Sequence, residues 1–250
     1  MNLTRIAFLF ALFVLSACTK EYLPDTYTEV PATEVKTFEY LPVYPETDAM
    51  LFSVQETKFV NQNNQVTAHH TGKARARFND NDGNSISAGT VKVQDVPLTI
   101  SSNQYTYNPD NLNPEGINYI SSGAHRWTVS GSSQFPEVNF LCTRTIPEIS
   151  PLLSTAEVID RNQSFGVNTQ QGVQNADSLR YTIFSSGGYY YATREANSPL
   201  HVFTPDKLAM LTPGKGILRL TAFNVTAIEI NGKRLMYINQ SITEKEVQIK

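Results

Sequence analysis

Ala227-Ile228-Glu229-Ile230-Asn231-Gly232-Lys233-Arg234-Leu235-Met236-Tyr237-Ile238 decides the fold class. Asn-Gly at the centre of a two-residue connection adopts the positive φ angles of a type I′ turn at little cost, and the apolar residues on either side suit paired strands. The same period of two recurs toward the N-terminus. Met50, Phe52 and Val54 alternate with Leu51, Ser53 and Gln55, and Ala74, Ala76 and Phe78 alternate with Lys73, Arg75 and Arg77, which are expected to face water. Val91 and Val93 form a further strand. Trp127 shares a face with Val129, which puts the only tryptophan between two sheets. Ser185-Ser186-Gly187-Gly188 turns the strand Ser178–Phe184 back into one that begins with Tyr189-Tyr190-Tyr191.

One helix is expected, from Thr204 to Leu211. Thr204 would cap it, Pro205 suits its first turn, and Asp206 favours the positive end of its dipole. Pro147 and Pro151 mark a boundary. The expectation is an all-β chain of two consecutive antiparallel β-sandwich domains, residues 49–146 and 147–250, with one short helix in the second.

Ahead of the strands, residues 1–17 carry one basic residue, Arg5, and an apolar run from Ile6 to Leu15. Roughly ten residues are too few to span a bilayer but suit the core of an export signal. Leu15-Ser16-Ala17-Cys18 resembles a bacterial lipobox, which implies cleavage before Cys18 and lipidation of its sulfur. Two or three acyl chains on one cysteine would hold the chain to a membrane, since each buried methylene contributes about 0.8 kcal/mol. Lys20-Glu21 resembles the charged signal that sends lipoproteins to the cell surface in Bacteroidota. Residues 18–48 then read as a tether rich in proline and acids, extended at about 3.1 Å per residue. Its aromatic residues suggest that part of it, Glu34 to Val43, lies on the first domain as an edge strand.

Order and motifs together resemble the β-sandwich lipoproteins of Bacteroidota. The resemblance rests on the lipobox, on Trp127-Thr128-Val129-Ser130-Gly131 followed by Phe135-Pro136, on Thr204 to Leu211, and on the closing hairpin. It implies Ig-like sandwiches on a lipid anchor at the cell envelope, in the outer membrane. It implies no activity and no catalytic residue.

A net charge of −3 without a basic patch argues against nucleic acid. Once Cys18 is lipidated, Cys142 has no thiol to pair with, and no histidine lies near it in sequence, so it is expected to be a small buried hydrophobe. His69 and His70, adjacent on a strand, point to opposite faces and cannot chelate one metal, and no zinc spacing occurs. Asp80-Asn81-Asp82-Gly83-Asn84 fails the EF-hand template and reads as a tight turn. There is no nucleophile elbow and no P-loop. Asp177-Ser178-Leu179 resembles a short O-glycosylation acceptor of Bacteroidota envelopes. The remaining candidates for ligand binding are Tyr189, Tyr190 and Tyr191, with Tyr189 and Tyr191 on one face and Tyr190 on the other, since exposed tyrosines stack on sugars and anchor interfaces. The expected function is a non-enzymatic, cofactor-free, membrane-anchored module that binds a glycan or an envelope protein. The alternatives are an assembly or adhesin component that pairs through sheet edges, or a glycoside hydrolase whose two carboxylates meet only in the fold.

Overall fold

A computed structural model of the chain describes residues 35–38, 44, 46–63, 65–119, 123–152, 156–169, 173–198 and 200–250. In chain order its strands begin with β1 (Ala49–Gln62), β2 (Gln65–Asn79), β3 (Ser85–Ile86), β4 (Val91–Val93), β5 (Val96–Pro97), β6 (Thr99–Ser101), β7 (Gln104–Tyr107), β8 (His125–Val129) and β9 (Val138–Cys142). They continue with β10 (Glu148–Ile149), β11 (Val158–Ile159), β12 (Phe165–Asn168), β13 (Val173–Gln174), β14 (Ser178–Ser185), β15 (Gly188–Glu195) and β16 (Leu200–Phe203). The helix α1 (Pro205–Leu208) precedes β17 (Gly214–Ile230) and β18 (Lys233–Ile249). The protein is all-β, built as layered, largely antiparallel sheets.

The expected turns are present. Asn231 and Gly232 carry φ of 52° and 73°, so the closing hairpin turns as its sequence requires. Its strands are longer than the local patterns suggest. β17 and β18 each run for 17 residues without a break. Two polar stretches pass through the middle of this hairpin, and they stay in the sheet because Asn224 and Asn239 are cross-strand partners whose amides hydrogen-bond to each other at 3.0 Å. The helix is shorter than expected. It holds four residues, and Thr204 occupies the N-cap position without a side-chain capping bond.

One large sheet backs the whole molecule, in the order β15-β14-β17-β18-β1-β2-β7-β6. β1 lies parallel to β18, from Ala49↔Leu235 to Thr57↔Thr243. Smaller sheets cover its first face. The sheet β5-β4-β8-β9 closes a core in which Trp127 and Phe135 meet Leu51, Phe78 and Tyr105. Trp127 is fully buried, as expected, and its indole N–H donates to Ser53 Oγ at 3.2 Å. Strands β12 and β16, the pair β10–β13 and α1 accompany a second core around Leu179, Tyr181, Ile183 and Leu220.

The expected boundary at residue 146 separates the small sheets but not the backing sheet. Leu235 and Tyr237 of β18 complete the first core, while Val247 and Ile249 of the same strand belong to the second. Between the cores the first face turns polar, with Ser53, Gln55 and Thr57 on β1 and Asn239, Ser241 and Thr243 on β18, all buried.

The second face of the backing sheet carries a third apolar cluster of Met50, Phe52, Val54, Met236, Ile238 and Ile242, with Tyr44 packed against it. Here the edge-strand expectation for Glu34 to Val43 is corrected. Val35–Phe38 forms no strand, and Phe38 lies on Phe184 and Tyr189, against the half of the sheet that holds β14 and β15 rather than the half first expected. The rest of that segment, and Cys18 with the export signal, lie outside the described residues.

Candidate functional site

Hairpin β14–β15 positions the tyrosines. Its register pairs Phe184 with Tyr189 and Thr182 with Tyr191, which puts Tyr189 and Tyr191 on the second sheet face beside Phe184, Thr182 and Arg180. Tyr190 points the other way, toward the second core, with its ring 6.0 Å edge-on from Phe203 and Lys207 Nζ 5.6 Å from its centre. The expected division of the three rings therefore matches their placement, and only two of them can share a ligand.

Tyr189 and Tyr191 stack at 6.2 Å with 17° between their planes. Arg180 lays its guanidinium 3.3 Å from the centre of Tyr191. Phe184 lies 5.9 Å from Tyr189, and Arg219 sits 5.0 Å over Phe184. A row of rings flanked by two guanidinium groups results, with both tyrosines partly exposed. Arg219 is held by Glu244, whose Oε1 accepts from Nε at 2.7 Å. Its Nη1 donates to the backbone carbonyl of Phe38, whose ring packs edge-on against Tyr189 at 4.5 Å and Phe184 at 5.3 Å. The row already holds one piece of chain, Phe38, by its carbonyl and its aromatic side chain.

Arg180, Phe184, Arg219 and Phe38 were not singled out from sequence. The available signal was Arg180-Tyr181-Thr182-Ile183-Phe184, a strand of which both faces are buried although one face carries an arginine. Such a face needs ring or ion partners.

A second constellation sits between the cores. Cys142 had no histidine near it in sequence, yet register places His125 directly opposite it. Asn239 Nδ2 lies 3.7 Å from Cys142 Sγ. Burial pushes the His125 imidazole down to about 4, against a hydrogen bond with Asn239 that works upward, so the ring is neutral. Thiol and imidazole residues are each 1% exposed, which makes Cys142 the buried residue its composition suggested and closes the group to substrate.

The other motifs resolve into structure. Asp80 Oδ1 accepts from the backbone N–H of Asp82 at 3.0 Å and of Asn84 at 2.8 Å, and its hydrogen bonds with Asn84 lower its pKa. Gly83, at φ 81°, completes the turn. Among the described residues, no group of three or more His, Cys, Asp or Glu is placed to hold a metal ion. Asp177 grips Arg144 through both carboxylate oxygens, at 2.8 and 2.7 Å, and that hydrogen bonding lowers its pKa. Ser178 beside it is paired on both sides within the sheet, so the glycosylation-like tripeptide is held in a central strand. Among the described residues no helix is long and apolar enough to cross a membrane. No protein-family model matches this chain, and no curated protein matches its sequence.

Proposed function

We propose that the protein is a lipid-anchored cell-envelope module that binds a protein partner without catalysing a reaction. Cys18 carries the anchor, and the row Tyr189–Tyr191–Phe184 provides the contact surface. The observation that carries the reading is the grip of this row on Phe38, because an aromatic side chain with a neighbouring backbone carbonyl is what a partner's extended segment would offer. Tyrosine and arginine concentrate binding energy at interfaces. Tyr189 and Tyr191 are both partly exposed, so the row presents ring surface beside Phe38.

The test compares the double variant Tyr189→Ala/Tyr191→Ala with Tyr190→Ala. The double variant loses cross-linking to envelope proteins, whereas Tyr190→Ala, altered on the opposite face, keeps it. Equal behaviour of the two variants refutes the surface. Turnover of a glycoside or ester by the purified protein refutes the non-enzymatic reading. The anchor is tested separately, since Cys18→Ser abolishes fatty-acid labelling. An assembly role has its own support, because β15 is the terminal strand of the backing sheet and no described strand pairs with its outer edge.

A further inference from the structure

Hairpin β1–β2 outruns its neighbours. β1 leaves β18 after Thr57, and β2 leaves β7 before Ala74, so residues 58–70 continue as a two-stranded arm around Asn63. The first face of this arm is the floor of a groove. One wall is the loop from Asn113 to Tyr119, and the other is the segment from Thr145 to Ile149. Two cavities, about 550 and 320 Å³, meet at Gln55, Ala68, His70 and Tyr119. These volumes lie in the range of small-ligand sites.

The first wall is stapled in place. Gly72 N–H donates to Glu115 O at 2.8 Å and Ile117 N–H to Gly72 O at 3.1 Å. No side chain fits at this crossing, since a Cβ on Gly72 would lie 1.8 Å from Ile117 O and one on Gly116 2.1 Å from Gly72 O. Asn113 Nδ2 adds a bond to Tyr107 Oη at 2.9 Å. This wall is thus preorganised and does not depend on a ligand to shape it.

At its centre, His70 Nδ1 lies 3.3 Å from Gln55 Nε2 and 3.1 Å from Thr57 Oγ1. An amide nitrogen can only donate, so Nδ1 accepts and the ring proton sits on Nε2. Burial, with His69 nearby, lowers the pKa of this ring, which keeps it uncharged. Around it stand the amide of Asn118 and the carboxylates of Glu115 and Glu148, and among the described residues no lysine or arginine lines the groove. Phe59 and Ala68 supply apolar floor, and Ile149 supplies apolar wall. An imidazole N–H and an amide as donors, with carboxylate acceptors over an apolar floor, match the hydroxyls and C–H faces of a sugar ring. Glu115 and Glu148 disfavour an anion.

We propose that this groove is a second binding site, distinct from the tyrosine row, for a neutral oligosaccharide segment, with the His70 Nε2–H as its central donor. The full-length chain is titrated by calorimetry with maltohexaose, laminarihexaose, xylohexaose, mannohexaose and chitohexaose, and with an oligogalacturonate as the anionic probe. The histidine side-chain ¹⁵N resonances are followed in parallel. At least one neutral hexasaccharide binds and shifts the His70 resonance, and the oligogalacturonate does not. His70→Ala weakens that binding about tenfold, the loss expected for one good hydrogen bond. Gly72→Ala, which displaces the wall, also weakens it, while circular dichroism confirms that both variants remain folded. Tyr189→Ala/Tyr191→Ala leaves it unchanged, so failure of the tyrosine row and failure of the groove are told apart. Absence of binding by all five neutral sugars overturns the proposal. So does preference for the oligogalacturonate, or binding that survives His70→Ala.

Discussion

Hairpin β17–β18 pairs from Gly214↔Ile249 to Ile230↔Lys233, with β14 on one flank and β1 on the other. Hairpin β1–β2 pairs as regularly, from Ala49↔Phe78 to Gln62↔Gln65, yet no described strand flanks its last third, and Gln65–His70 is exposed throughout. Each turns through an asparagine at positive φ, Asn231 at 52° and Asn63 at 53°. Local instruction is nearly the same in both. What differs is whether neighbours cover the ribbon, and that decides which hairpin is scaffold and which is an arm free to line a groove.

The strongest attempt to break this contrast strikes where the hairpins meet. Trp127 crosses from β8 onto Ser53 of β1, so Trp127→Ala costs about 3–5 kcal/mol. Urea denaturation measures it, and a loss below about 1 kcal/mol would mean the joint is not a core.

Acid probes the same joint. Burial puts the folded His125 imidazole at about 4 against 6.5 for an ordinary histidine. The unfolded chain therefore takes up a proton first, and stability is intact above about pH 6.5 and falls as pH drops toward 4. This one ring accounts for at most about 3 kcal/mol across that window. His201, pushed down to about 4 by burial with Arg194 nearby, adds in the same direction. His125→Gln flattens the pH dependence of the urea midpoint, and an unchanged slope would show that the ring titrates freely in the folded state.

The turns give a smaller effect. Gly232 has open space for a Cβ but a φ of 73°, so Gly232→Ala costs about 1 kcal/mol through backbone strain alone. At the arm, Val66 is 40% exposed, and Val66→Thr changes stability by less than about 0.5 kcal/mol. If Val66→Thr costs as much as Gly232→Ala, the arm is part of the scaffold and the contrast collapses.

Turn chemistry and alternation were legible in sequence. Asn231-Gly232, the burial of Trp127 and the split of Tyr190 from its neighbours all follow from short-range rules. Long-range pairing was not. Asn239-Gln240-Ser241 reads as an interruption until Asn224 appears opposite it, and nothing local tells β1 to lie parallel to β18. The site suffers most from this. His70 is an unremarkable strand residue until Gln55 and Thr57 face it, and Phe38 belongs to a proline-rich stretch that reads as tether. Val35–Phe38 shows the limit of composition, since Phe38, one of the aromatic residues that hinted at a docked strand, docks on Phe184 and Tyr189 without forming one.

The parallel pairing of β1 with β18 also sets an order of events in time. Leu51 and Phe78 are among the first core residues to be synthesised, and Leu235 and Tyr237, which share their cluster, are among the last. Contacts so far apart in the chain fold slowly, because loop closure precedes any gain from pairing. The N-terminal half waits for the C-terminal strand, and a ribosome adding about 5–20 residues per second holds it open for that interval. The first core therefore closes only after the C-terminal strand has left the ribosome.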